Sequence, residues 1–164
     1  MTMSAARRGH VVDGYIGWLR ARVGHEKVQM AFAVACVLRD DTVLLQHRDS
    51  GGWGFPGGAI ELGEIAHDAA VRETLEETGI TIAITELIGV YTGYEQRYPN
   101  GDVTQPIVIA FRATPQGPAA TDHPLSHETI EARYVRMDAV PRLFSQQHRD
   151  ILADLVAGRH GVYR

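Results

Sequence analysis

Glu73, Glu76 and Glu77 are spaced i, i+3 and i+4 within residues 65–78, a stretch that reads as a helix stopped by Gly79 at its C′ position. On a helix this spacing puts all three carboxylates on one face. Like charges so close repel one another, and a helix under no other constraint gains nothing from the arrangement. A hard divalent cation turns the repulsion into attraction, and Mg²⁺ takes oxygen ligands of this kind. Glu64, just before the helix, is within reach of the same place, and Arg72 sets a fixed positive charge beside Glu73. The plain alternative is a solvated acidic face. The context weighs against it, because residues 50–58 (SGGWGFPGG) hold five glycines and a proline. Such a loop lets the backbone approach a ligand closely.

The elements that must hold these groups in place are legible as periodicities. Val12, Tyr15, Ile16, Leu19 and Val23 recur at helical spacing, with Gly24 as the stop and Gly14 and Gly17 as weak points. Residues 30–38 (MAFAVACVL) read as a buried strand, Asp40-Asp41 as a turn, and residues 42–47 as the returning strand. Ile80, Ile82 and Ile84 alternate as in a half-buried strand. Residues 107–111 form another strand, with Pro106 at its start, and residues 132–135 a last short one. Phe144, Ile151, Leu152 and Leu155 mark a C-terminal helix with Ser145 as N-cap and Gly158 as stop. Strands and helices alternate without a regular βαβ rhythm, which suggests a mixed sheet with helices on both faces.

Composition narrows the classes. A chain of 164 residues suits a single domain, with residues 1–10 as an N-terminal tail. A net charge of −4 argues against a stable nucleic-acid partner, whose surface would be basic. Cys36 is the single cysteine, so a disulfide framework is excluded and the thiol is expected in the core. The apolar run around it is too short for a membrane span, and the N-terminus has no apolar signal region. A cytoplasmic location is expected. Pro124, between His123 and His127, argues against a helical histidine pair for zinc.

The stretch from Gly58 to Ile80 resembles the Nudix box: Gly, five residues, Glu, seven residues, Arg-Glu, an apolar residue, any residue, Glu-Glu, any residue, Gly, apolar. Gly58, Glu64, Arg72, Glu73, Glu76, Glu77, Gly79 and Ile80 match in register, and Thr74 stands where an aliphatic residue is usual. Residues 53–58, residues 98–102 and the C-terminal helix also look like this family. The resemblance implies an α/β/α sandwich, a mixed β-sheet flanked by helices. It implies a metal-dependent hydrolase that cleaves a phosphoanhydride bond in a nucleoside diphosphate linked to another moiety, or in a nucleoside triphosphate. Glu64, Glu73, Glu76, Glu77 and the backbone carbonyl of Gly57 or Gly58 would hold Mg²⁺ or Mn²⁺, and Arg72 would orient Glu73. The general base would be a box glutamate such as Glu73, or Glu128 from a later loop, with Glu131 as the neighbour to rule out. Arg48, Trp53 and Tyr98 are candidates for substrate contact, by phosphate pairing or base stacking. The expected partner is a small nucleotide-like molecule, with homodimerisation allowed. The rival reading is a non-catalytic regulatory domain that binds a nucleotide. Such domains often lose the glutamates, which are all present here.

Overall fold

The computed structural model describes residues 14–117 and 129–164. The tail 1–10, Val12, His123, Pro124, His127 and Glu128 lie outside the described residues. In chain order the elements are α1 (Gly14–Val23), β1 (Val28–Arg39), β2 (Thr42–Arg48), β3 (Trp53–Gly54), β4 (Gly57–Ala59), α2 (Ala66–Thr78), β5 (Ile82–Tyr91), β6 (Gln96–Arg97), β7 (Val103–Pro115), β8 (Thr129–Arg136), a 3₁₀ turn Met137–Ala139, α3 (Gln146–Val156) and β9 (Val162–Tyr163).

The sheet is mixed. Its order is β3-β2-β1-β7-β5-β9, with β4 added to β1, β6 to β7 and β8 to β2. The central pair, β1 and β7, is parallel and runs in register from Val28↔Thr104 to Val37↔Ala113. β1 reads as an unbroken apolar run because both of its faces are covered. Ala33, Ala35 and Val37 face one side, where they meet Ala69 and Ala70 of α2. Val34 and Cys36 face the other, with Phe55, Ile88, Ile151 and Leu155. Alanine against alanine lets α2 approach the sheet closely, and that closeness sets the position of the acidic face. Each fully buried large side chain on the α3 side, such as Ile151, contributes about 1.5–3 kcal/mol of transfer free energy.

Both helix ends expected from the sequence are present. Gly79 closes α2 in the left-handed conformation at φ 70°, with its N–H donating to the Leu75 carbonyl. The Ser145 hydroxyl caps α3 by accepting from the His148 N–H. Thr74, the position that departs from the aliphatic pattern, is fully buried, and its hydroxyl donates to the Ala70 carbonyl at 2.7 Å. The turn of helix before it thus satisfies the added polar group.

Two expectations are corrected. The glycine-rich stretch 50–58 contains two short strands, β3 and β4, because Trp53-Gly54 pair with β2 and Gly57–Ala59 with β1. Pro106 sits inside β7 rather than at its start. On one side it pairs with Met30, and on the other it falls between the last β5 partner, Val108, and the first β6 partner, Thr104. A residue without an N–H is tolerated where that side of the ladder is interrupted.

Candidate active site

Glu73, Glu76 and Glu77 line one cavity of about 600 Å³ together with Gly57, Gly58 and Arg48. They share the cavity but not the same degree of exposure. The side chains of Glu73 and Glu76 are 18% and 57% exposed, whereas Glu77 is buried. The helix rolls Glu77 inward against β4, where its Oε2 accepts from the Gly57 N–H at 2.8 Å and from Gln46 Nε2 at 2.9 Å. Gln46 is itself fully buried and accepts from the Thr129 hydroxyl at 2.8 Å. Burial pushes the Glu77 carboxyl up to about 7, against the pull of these two hydrogen bonds and of Arg48 at longer range.

Gly57 is glycine for a steric reason, and Gly58 lets the Glu73 carboxyl lie against its backbone. A Cβ on Gly57 would lie 2.2 Å from the Ala33 carbonyl oxygen, and one on Gly58 would lie 2.4 Å from the Glu73 carboxyl carbon. The bare backbone lets the acidic face of α2 close onto β4.

Arg72 gathers the remaining acids. Its Nε and Nη2 donate to Glu64 at 2.7 and 2.9 Å, its Nη1 to Glu73 at 2.7 Å and to Glu76 at 3.3 Å, and Nη2 also to the Ala59 carbonyl at 3.2 Å. The fork-to-fork pairing holds Glu64 below the usual carboxylate range, and the surrounding acids raise Arg72 further. Among the described residues no three acids or imidazoles converge as a ready coordination shell, since Arg72 draws Glu64, Glu73 and Glu76 while Glu77 turns to Gly57 and Gln46. The donor set still suits a hard cation. Glu73, Glu76 and Glu77 line the cavity with the Gly57-Gly58 backbone, Glu64 is tied to them through Arg72, and the hydrogen bonds that buried Glu77 accepts come from neutral groups.

A second cavity, of about 280 Å³, adjoins the first across Phe32, Gly57 and Gly58. Phe144, just before the α3 N-cap, and His148 in the first turn of α3 line it, along with Val108. His148 stacks between Phe55 and Phe144, and its Nδ1 accepts from the Phe55 N–H at 3.2 Å. Burial lowers its pKa to about 3, so the imidazole is neutral.

The other sequence candidates separate. Arg48 and Tyr98 line both cavities and stand at their junction. Trp53 lines neither; its indole packs on His47, with the Arg133 guanidinium 4.7 Å from the ring centroid. Pairing of β3 with β2 sets the Trp53 side chain beside His47 and the β8 residue Arg133 rather than in either cavity. Of the other tyrosines, Tyr91 is core, with its hydroxyl on Asp154 at 2.8 Å, and Tyr94 braces α3 through Asp150 at 2.6 Å. Glu131 lies in β8, 3.4 Å from Arg133, and away from both cavities. Gln46, His148, Arg20 and Glu61 were not singled out by sequence reasoning, and Phe144 was read only as part of the C-terminal helix. Gln46 could have been suspected as a polar residue inside an otherwise apolar strand; the rest carry no local signal.

A family model described as NUDIX domain matches residues 29–155. The chain belongs to the Nudix hydrolase family. A "MutT-like protein" from Streptomyces ambofaciens is 33% identical over 125 residues, covering 74% of this chain and 73% of that one. An "ADP-ribose pyrophosphatase" from Methanocaldococcus jannaschii is 30% identical over 127 residues, covering 75% and 70%. A solved Nudix hydrolase from Nitrosomonas europaea shares the fold at a TM-score of 0.68 and 22% identity, covering 81% of this chain and 92% of that one. In this Nudix hydrolase the family match begins at β1, so α1 lies outside it. No helix among the described residues is long and apolar enough to cross a membrane.

Proposed function

We propose that this Nudix pyrophosphohydrolase cleaves the phosphoanhydride bond of a nucleoside diphosphate linked to a second moiety, with nucleoside triphosphates as the next class, using Mg²⁺ or Mn²⁺. The observation that carries the reading is the adjacency of the two cavities. One is lined by Glu73, Glu76, Glu77 and the Gly57-Gly58 backbone, the other by Phe32, Val108, Phe144 and His148 together with polar groups such as Gln96 and Gln147, and Arg48 and Tyr98 stand between them. A base fits a space that joins aromatic walls to a few polar groups, while a diphosphate needs cations and backbone.

Glu64, Glu73, Glu76, Glu77 and the Gly58 carbonyl are the groups that would hold the metal. When bound, the metal would neutralise phosphate charge and acidify a water. The chain's own residues do the rest. Arg72 fixes the orientation of Glu73 and Glu64 through charge-assisted hydrogen bonds. Arg48 supplies a positive charge where the diphosphate would bridge the cavities, and Tyr98 offers a ring at the same junction. Glu73 or Glu128 takes the proton from the attacking water.

Hydrolysis of a nucleotide library with Mg²⁺, with Mn²⁺ and after exhaustive chelation, with products identified by mass, tests the whole reading. Cleavage at a diphosphate that chelation abolishes is expected; turnover without metal rejects it. Glu128→Gln then distinguishes the bases. If Glu128 is the base, kcat falls by about 10²–10⁴-fold at every metal concentration. A raised metal requirement makes it a ligand, and a wild-type profile assigns the role to Glu73.

A further inference from the structure

α1 lies before the matched Nudix region, which begins at residue 29. None of its residues is fully buried, and Tyr15, Ile16, Leu19 and Val23 are only half-buried, so apolar packing alone does not hold it. Polar ties at both ends do. At the N-terminus the Tyr15 N–H donates to Glu61 Oε2 at 2.8 Å, which puts a carboxylate at the positive end of the helix dipole. At the C-terminus Arg20 Nη1 donates to the Gly24 and Glu26 carbonyls at 3.1 and 2.8 Å. The same guanidinium reaches β7 and the turn before it. Its Nη2 donates to the Val103 carbonyl at 2.9 Å and to the Thr104 hydroxyl at 3.1 Å, and its Nε lies 3.4 Å from Asp102. Asp102 closes the turn that begins at Tyr98: the Tyr98 N–H donates to the Asp102 carbonyl at 2.9 Å, and Asn100 bonds Asp102 twice at 3.1 Å.

Ile16, Arg20 and Glu61 line the carboxylate cavity, as do Tyr98 and Asp102. The helix therefore closes this cavity from a side that the matched Nudix region does not supply. We propose that α1 is a specificity wall of the active site and that Arg20 is its positioning residue, docking the helix and fixing the turn that holds Tyr98 at the junction of the two cavities. Ile16 is then the wall residue that limits what extends beyond the diphosphate. The inference rests on the hydrolase reading given above.

Arg20→Ala, Arg20→Lys and Ile16→Trp test it, with wild-type protein and the library nucleotide that it hydrolyses best. Amide hydrogen exchange over residues 14–24 reports docking, steady-state kinetics report the site, and thermal melting reports the fold. Arg20→Ala is expected to speed exchange in α1 and to raise KM on the order of tenfold, the scale of a lost charge-assisted contact, with kcat and melting temperature little changed. Arg20→Lys keeps the charge without the fork and recovers only part of the loss. Ile16→Trp raises KM while exchange stays at the wild-type level. Slow exchange in Arg20→Ala overturns the docking role, and fast exchange with unchanged KM overturns the wall. Should Arg20→Ala fail to fold, an unchanged KM in Ile16→Trp overturns the proposal by itself. If the wild type cleaves no nucleotide, the hydrolase reading fails separately. The wall is then judged by calorimetric binding of ADP-ribose with Mg²⁺, whose second ribose extends beyond the diphosphate; an Arg20→Ala affinity equal to wild type rejects it.

Discussion

Two buried carboxylates, one in each helix that flanks the sheet, meet opposite surroundings. Asp154 in α3 is fully buried and accepts from Arg164 at 2.9 and 3.0 Å, from Arg159 at 2.7 Å and from the Tyr91 hydroxyl at 2.8 Å. Arg164 above all, then Arg159 and Tyr91, hold it at about 2 in spite of burial. Glu77 in α2 is as deeply placed, but the hydrogen bonds it accepts come from an amide side chain and a backbone N–H, and burial dominates. The chain supplies its own cations to Asp154, which pins α3 and the C-terminal residues to β5. Around Glu77 it supplies neutral hydrogen-bond donors, with Arg48 acting only at longer range. The first arrangement is structural; the second is what a site for a cation and an anionic substrate requires.

The comparison breaks most sharply at Glu77→Gln. Turnover is expected to fall by about 10²–10³-fold, the scale of one preorganised electrostatic group, while the metal-free protein melts no lower than wild type at pH 8. Glu76→Gln should lose activity similarly without any gain in stability, because that side chain is already solvated. Near-normal kcat in either variant at saturating metal removes that glutamate from the site.

Asp154→Asn inverts the pattern. Two guanidinium groups and a phenol lose their shared acceptor, and denaturant unfolding should show a loss of about 2–4 kcal/mol, tempered by the partial exposure of both arginines. Activity at a temperature where the variant is folded should stay within a few-fold. A neutral effect on stability would make Asp154 dispensable and the contrast empty.

The pH dependences have opposite signs. Asp154 is depressed in the fold, so its contribution, about 2 kcal/mol, is present above pH 4 and is lost as pH falls toward 2. Glu77 is raised in the fold, so its protonated form contributes stability below the ordinary glutamate range. That contribution, about 3 kcal/mol, is lost as pH rises through about 7 in metal-free protein. Unfolding free energies of wild type and Glu77→Gln between pH 4.5 and 8 should diverge with rising pH; parallel curves would deny the raised value. The smallest effect belongs to Thr74→Val. It restores an aliphatic side chain while the Ala70 carbonyl keeps its helical partner, and stability should change by less than about 1 kcal/mol with kinetics unaltered. A larger loss would mean that the buried hydroxyl matters to the placement of the acidic face.

Much of this architecture was legible because it is written in local patterns. The spacing of Glu73, Glu76 and Glu77, the stop at Gly79, the cap at Ser145 and the doubly apolar β1 each depend on neighbours within a turn or a strand, and all appear where the sequence puts them. The eight box positions in register were enough to name the family. Long-range pairing decided the rest. Gln46 meets Glu77 across 31 positions, Glu61 meets Tyr15 across 46, and Arg20 meets Thr104 across 84. No periodicity reports such distances. Trp53 lines neither cavity because β3 pairs with β2, and Tyr98 lines both because the turn that follows β6 folds back. The sequence by itself determined which groups could do the chemistry, since side-chain type and helical spacing are local. The tertiary structure alone decided which of them face the same cavity and which acid is left with neutral partners, since burial and electrostatics belong to the packed chain.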